Sequence, residues 1–139
     1  MPATDTAITL RLTIADPVQG VHYSLQDKDN APVDGAIAGS GPLSFDVPVR
    51  LSADNRLLGT FVRREGTQRR FVYIVIHRAS ADPASAWNGR AKIDVHDIPP
   101  ALLDEARAGR VLEIVLPGRG RDGRPACATV RSQTGWIVV

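Results

Sequence analysis

Apolar and polar residues alternate along much of this chain, and one stretch breaks the alternation. Ile8, Leu10, Leu12 and Ile14 are interleaved with Thr9, Arg11 and Thr13. A period of two is the signature of a half-buried strand, because successive side chains leave opposite faces. Val21, Tyr23 and Leu25 repeat the pattern, and "DKDN" after them is turn chemistry. Residues 31–42, rich in Gly, Ala, Ser and Pro, read as a loop with room for one short edge strand. Leu43, Phe45, Val47, Val49 and Leu51 then alternate again. Pro48 falls on the polar phase of that run, which fits an edge strand where a missing N–H costs little. "SADN" turns the chain, Leu57 to Val62 begins another strand, and Glu65-Gly66 makes a hairpin turn before residues 69–77 return. Phe71 to Ile76 is the exception: six apolar residues with no polar phase. Such a segment is expected in the middle of a sheet, covered on both faces. The opposite sheet would cover one face, and a helix or a dimer partner the other.

Beyond it, "WNGRAKIDV" reads as a strand with Ala91, Ile93 and Val95 on one face. "DIPPALLDEARAG" carries the one helix signature, over about residues 98–108. Asp97 is placed to cap it, Pro99 and Pro100 sit in the first turn, and Gly109 can close it. Leu102, Leu103 and Ala106 form its apolar stripe, and Arg107 and Arg110 lie where the helix dipole favours cations. Strands over 111–116, 125–131 and 135–139 complete the chain, separated by "PGRGRDGRP" and "SQTG". The expectation is a single domain, residues 1–139, mainly β. It is an antiparallel sandwich or partly open barrel of about eight short strands with one short α-helix.

A chain of 139 residues buries enough surface to fold without disulfide or metal. One cysteine, Cys127, excludes an internal disulfide. The N-terminus lacks the pattern of a signal peptide, and no apolar run approaches the roughly 20 residues needed to span a bilayer. A cytoplasmic protein with no membrane association is expected. The formal net charge of +2 hides an asymmetry. Residues 1–55 hold three basic and seven acidic residues, a net of −4, and residues 56–139 hold fourteen and eight, a net of +6. Thirteen of those fourteen basic residues are arginines, which suit bidentate contacts to carboxylate or phosphate.

The arginines gather around the apolar segment, and two roles compete for them. Flanking charges restrain a sticky β-former while the chain is unfolded, which makes Arg69, Arg70 and Arg78 gatekeepers and Arg63 and Arg64 solvated hairpin residues. Alternatively the cluster binds an anion. Arg90 and Lys92 lie on the polar phase of the next strand, and pairing with residues 69–77 would bring them to the same concavity. The leading functional expectation is a non-enzymatic β-domain that takes an anionic small molecule or acidic partner. Its binding residues would be Arg63, Arg64, Arg69, Arg70, Arg90 and Lys92, with Tyr73, His77 and Trp87 alongside. A small enzyme with a pocket near Tyr73, His77 and Cys127 is the alternative. A third is a structural homodimer formed along Leu43 to Leu51.

Other motifs lead nowhere. Gly118 to Gly123 matches G-x-G-x-x-G, but Pro125 and a strand follow where a dinucleotide site needs a helix. The acidic residue that site requires about 20 positions on has no room before Val139. His22, His77 and His96 have no metal-ligand spacing, so neither metal nor cofactor is expected. His96-Asp97 could be an acid–base pair, although an Asp at a helix entry is more often a cap. Aromatics total only 5%, too few for a nucleic-acid stacking surface.

Several segments are together more specific than any motif. "GVHYSLQ", "FDVPVRL", "GTFVRREGTQRRFVYI", "GRAKIDVHDIP" and "DGRPACATVRSQTGW" follow one another between Leu10 and Trp136. In this order they resemble an uncharacterised family of small bacterial proteins, domain of unknown function 5990. Phe61-Val62 with Arg70 to Tyr73, and Gly123 with Pro125, Cys127 and Trp136, carry the resemblance. The family pattern puts Gly-Pro before the Phe-Val pair, where this chain has Gly59-Thr60. It also ends the central strand on an aromatic, where this chain has Ile76-His77. The resemblance implies a small stand-alone bacterial protein and carries over no catalytic residue.

Overall fold

The computed structural model describes residues 5–27, 32–65, 69–78, 87–119, 129–130 and 135–139, with the backbone alone at 32–34, 78, 87–88 and 129–130. Two sheets enclose one core, and one of them curls into a half-barrel. The first sheet contains β1 (Thr6–Ile14), β4 (Leu43–Leu51), β5 (Leu57–Leu58), β9 (Leu112–Leu116) and β11 (Trp136–Val138) in the order β11-β9-β1-β4-β5. The second contains β2 (His22–Gln26), β3 (Pro32–Ile37), β7 (Arg69–Arg78), β8 (Trp87–Asp94) and β10 (Thr129–Val130) in the order β10-β8-β7-β2-β3. β6 (Arg63–Glu65) also pairs with β7. Most pairs are antiparallel, but β9 runs parallel to β1 and β10 parallel to β8. The expected mainly β architecture with one helix holds. The strand count does not: eleven strands lie among the described residues, because the 57–65 region splits at a turn and the 31–42 loop forms β3.

The alternating segments put their apolar phase inward. Along β1, Ile8, Leu10, Leu12 and Ile14 are buried, and along β4 so are Phe45, Val47, Val49 and Leu51. β5 covers only Arg50 and Leu51 of β4, so Pro48 lies beyond that ladder, on a stretch of β4 approached by Gly59 of the following turn, where a missing N–H costs no strand pairing. β7 is the central strand expected of an unbroken apolar run. β8 pairs along one edge from Phe71 to Arg78, and β6 and β2 share the other. Val72, Ile74 and Ile76 point into the core against Tyr23, Leu25, Ala91 and Ile93. Phe71 and Tyr73 on the outer face are nevertheless 6% and 3% exposed.

α1 (Pro100–Arg107) connects β8 of one sheet to β9 of the other and packs on β1, β9 and β11. Leu103 and Ala106 enter the core beside Ile98. The helix therefore does not cover the outer face of β7, contrary to expectation. The capping expectation also fails. Pro99 is the N-cap and makes no side-chain cap bond, while Asp97 accepts a hydrogen bond from Arg69 at 3.1 Å. The two prolines set the backbone for the first turn without help from a side-chain cap. Gly109 ends the helix at φ +102°, a conformation that glycine adopts without the steric cost of a Cβ. Arg107 ties the helix to the β4–β5 turn, donating to the Ser52 carbonyl at 2.7 Å and to Asn55 Oδ1 at 2.6 Å.

Candidate functional site

The basic residues of β6 and β7 occur as adjacent pairs, and strand geometry sends the members of each pair to opposite faces. Arg64 stands directly opposite Arg70 on one rung, and Glu65 opposite Arg69 and Arg63 opposite Phe71 on its neighbours. The expected pairing of β8 with β7 is present, and it sets Lys92 opposite Tyr73 and Arg90 opposite Val75. The six cations thus divide. Arg64 and Arg70 share one phase, while Arg63, Arg69, Arg90 and Lys92 share the other, so they do not surround a single concavity.

Arg64 and Arg70 line a cavity of about 420 Å³ with Arg50, Leu57, Thr60 and Val62. Arg50 reaches it from the end of β4 and Thr60 from the turn after β5. Arg70 is 8% exposed, and it continues the inward phase of Val72 and Ile74. It is therefore not a solvated flank of the apolar segment. Burial pushes its guanidinium pKa down, and the charges of Arg56 and Arg64 add to that, outweighing the opposing pull of Asp54. Like charges facing each other on one rung destabilise a strand pair. Arg50 is partly compensated by Asp5, 3.4 Å away. Arg50 and Thr60 had no signal in the sequence: each is one polar residue in a turn or strand end, and only the fold brings them to Arg70.

The cations of the other phase serve a different purpose. The Arg90 guanidinium lies 4.8 Å from the centre of the Tyr73 ring and that of Arg63 5.6 Å. Lys92 Nζ lies 4.0 Å from the centre of Phe71. The two rings are 6.4 Å apart and tilted by 44°. Glu65 binds both Lys92 and the Tyr73 hydroxyl, which donates to it. Arg69 pairs with buried Asp94, whose other oxygen accepts the His96 backbone N–H at 2.8 Å. Long basic side chains laid over aromatic rings keep water from them while their charges stay hydrated. This layer, and not the helix, covers Phe71 and Tyr73 on the outer face of β7.

The ionisable groups of that face are engaged with one another. Burial raises the Tyr73 pKa, and its hydrogen bond to Glu65 adds to the rise. Glu65 is held below the usual carboxylate range, chiefly by Lys92 and then by Tyr73. His77 is exposed four rungs away, opposite His22 and Asn88. Neither Tyr73 nor His77 lines the arginine cavity. His96 Nε2 is 3.8 Å from Asp97, beyond hydrogen-bond reach, and Asp97 is engaged by Arg69. Cys127, the Trp87 side chain and most of the Gly118–Gly123 loop lie outside the described residues. Gly118 itself has a packing role: a Cβ there would overlap the Asp16 carbonyl.

Together these features define a two-sheet, mainly β domain with an arginine-lined cavity among its described residues. The chain belongs to the Family of unknown function (DUF5990), whose model matches residues 8–139. No curated protein and no solved structure matches it. No helix among the described residues is long and apolar enough to cross a membrane.

Proposed function

We propose that this protein is a non-enzymatic binding domain for a small anion-bearing molecule, held in the cavity of Arg50, Arg64 and Arg70. The observation that carries the reading is the facing pair Arg64 and Arg70, one of them buried, with a third guanidinium on the same cavity. Cations at such close quarters repel one another. An anion between them removes that repulsion and gains charge-assisted hydrogen bonds from the planar guanidinium forks. Thr60 offers a hydroxyl on the same wall. Arg63, Arg69, Arg90 and Lys92, engaged with rings and carboxylates of the outer face, are assigned to packing instead.

Thermal unfolding in phosphate, against chloride of equal ionic strength, tests the reading. A ligand at 100 times its Kd stabilises the fold by about 2.7 kcal/mol, roughly 8–10 °C in Tm for a domain of this size. Arg64→Ala should remove most of that gain, and Lys92→Ala should keep it. Equal Tm values in phosphate and chloride would refute the proposal.

A further inference from the structure

The arginine cavity has a neighbour of different character. A second cavity of about 200 Å³ is lined by Asp54, Asn55, Arg56, Leu57, Arg70, Val95 and His96. Arg70 and Leu57 belong to both, so the two cavities are adjacent and share a wall. The first is cationic, with three arginines on its wall. The second is mixed. Asp54 brings a carboxylate that already holds Ser52 and Arg56, the latter at 3.2 Å. A carboxylate has about four lone-pair sites, so it can accept further hydrogen bonds. Asn55 accepts from Arg107 through its side-chain oxygen, which leaves the amide protons to donate. His96 can do either.

Charge alone would suit two anions side by side, but Asp54 repels a second one. Interleaved donors and acceptors match hydroxyl groups, each of which donates and accepts. We propose that the ligand is a phosphate monoester of a sugar or polyol. Its phosphate lies among Arg50, Arg64 and Arg70, and its hydroxyls reach Asp54, Asn55 and His96. This assignment rests on the anion-binding reading above and specifies what the anion is attached to.

Three probes separate the two claims in calorimetric titration: orthophosphate, n-butyl phosphate and ribose 5-phosphate. Ribose 5-phosphate should bind roughly tenfold tighter than the butyl ester, the return from one or two net hydrogen bonds. Asp54→Asn should narrow that margin while leaving orthophosphate binding unchanged or tighter, since it removes a negative charge near Arg70. His96→Ala should narrow the margin too, and it serves if the Asp54 variant disturbs its turn. Equal affinity for the two esters, or a margin that survives both substitutions, would overturn the polyol assignment and leave the anion site standing. Failure of all three probes to bind the wild-type protein would overturn both.

Discussion

Lys92→Ala takes away three interactions on the outer face of β7 in a single substitution. The ammonium group lies 4.0 Å from the Phe71 ring centre, a contact worth about 0.5–1 kcal/mol at a partly exposed site. Its pairing with Glu65 adds about 0.2–1 kcal/mol, because both side chains are about a third exposed and water screens them. The butyl stem shields roughly 30–40 Å² of apolar surface, about 1 kcal/mol at 25 cal/mol per Å². The expected loss is about 2 kcal/mol. Lys92→Met keeps the stem and loses only the charge, so it should cost about half as much. Urea unfolding followed by tryptophan fluorescence gives both values from the midpoint, provided the m-value is unchanged. If both variants unfold within about 0.3 kcal/mol of wild type, the cations are merely solvated and do not seal the aromatic pair.

Further substitutions test other joints of the structure. Glu65 has a folded-state pKa lowered from 4.5, so its contribution is full above that value and is lost as pH falls through the lower folded pKa. Glu65→Gln should flatten that part of the stability–pH curve, by no more than about 0.5 kcal/mol given its exposure, and chemical unfolding at pH 7 and pH 3 reads the difference. Ile74→Ala, at a fully buried position of the central strand, should cost about 3–4 kcal/mol in the same assay. Gly118→Ala must push against the Asp16 backbone and should cost about 2 kcal/mol or more. Gly39→Ala, with nothing within 4 Å of the new carbon, should be neutral or stabilising by up to about 1 kcal/mol.

The strands that define the core were legible because each has one wet and one dry face. β1 and β4 keep strict alternation, and β8 keeps it through Ala91 and Ile93. The unbroken run Phe71–Ile76 correctly marked the centre of a sheet, but its apolarity does not say what lies on the outer side. Basic side chains long enough to cover two rings serve in place of a helix, and nothing in the periodicity of β7 distinguishes these solutions. The site was half legible. Arg64 and Arg70 stood out as cations, yet the strand period could already have separated Arg63 from Arg64 and Arg69 from Arg70. Two adjacent strand residues cannot line one wall. Arg50 and Thr60 were out of reach, since their nearness to Arg70 depends on how β5 and the turn after it fold back. Asp97 satisfies the sequence rule for a cap but is claimed by Arg69, an ion pair 28 residues distant in sequence that local pattern cannot reveal.

The division of the cations between two faces can be read most directly by a phosphate titration followed through backbone amide resonances. Saturable shifts at Gly59, Thr60, Arg64 and Arg70, with Tyr73, Arg90 and Lys92 unmoved, are the predicted result. Shifts centred on Tyr73 and Lys92, or none beyond those produced by chloride, would contradict it.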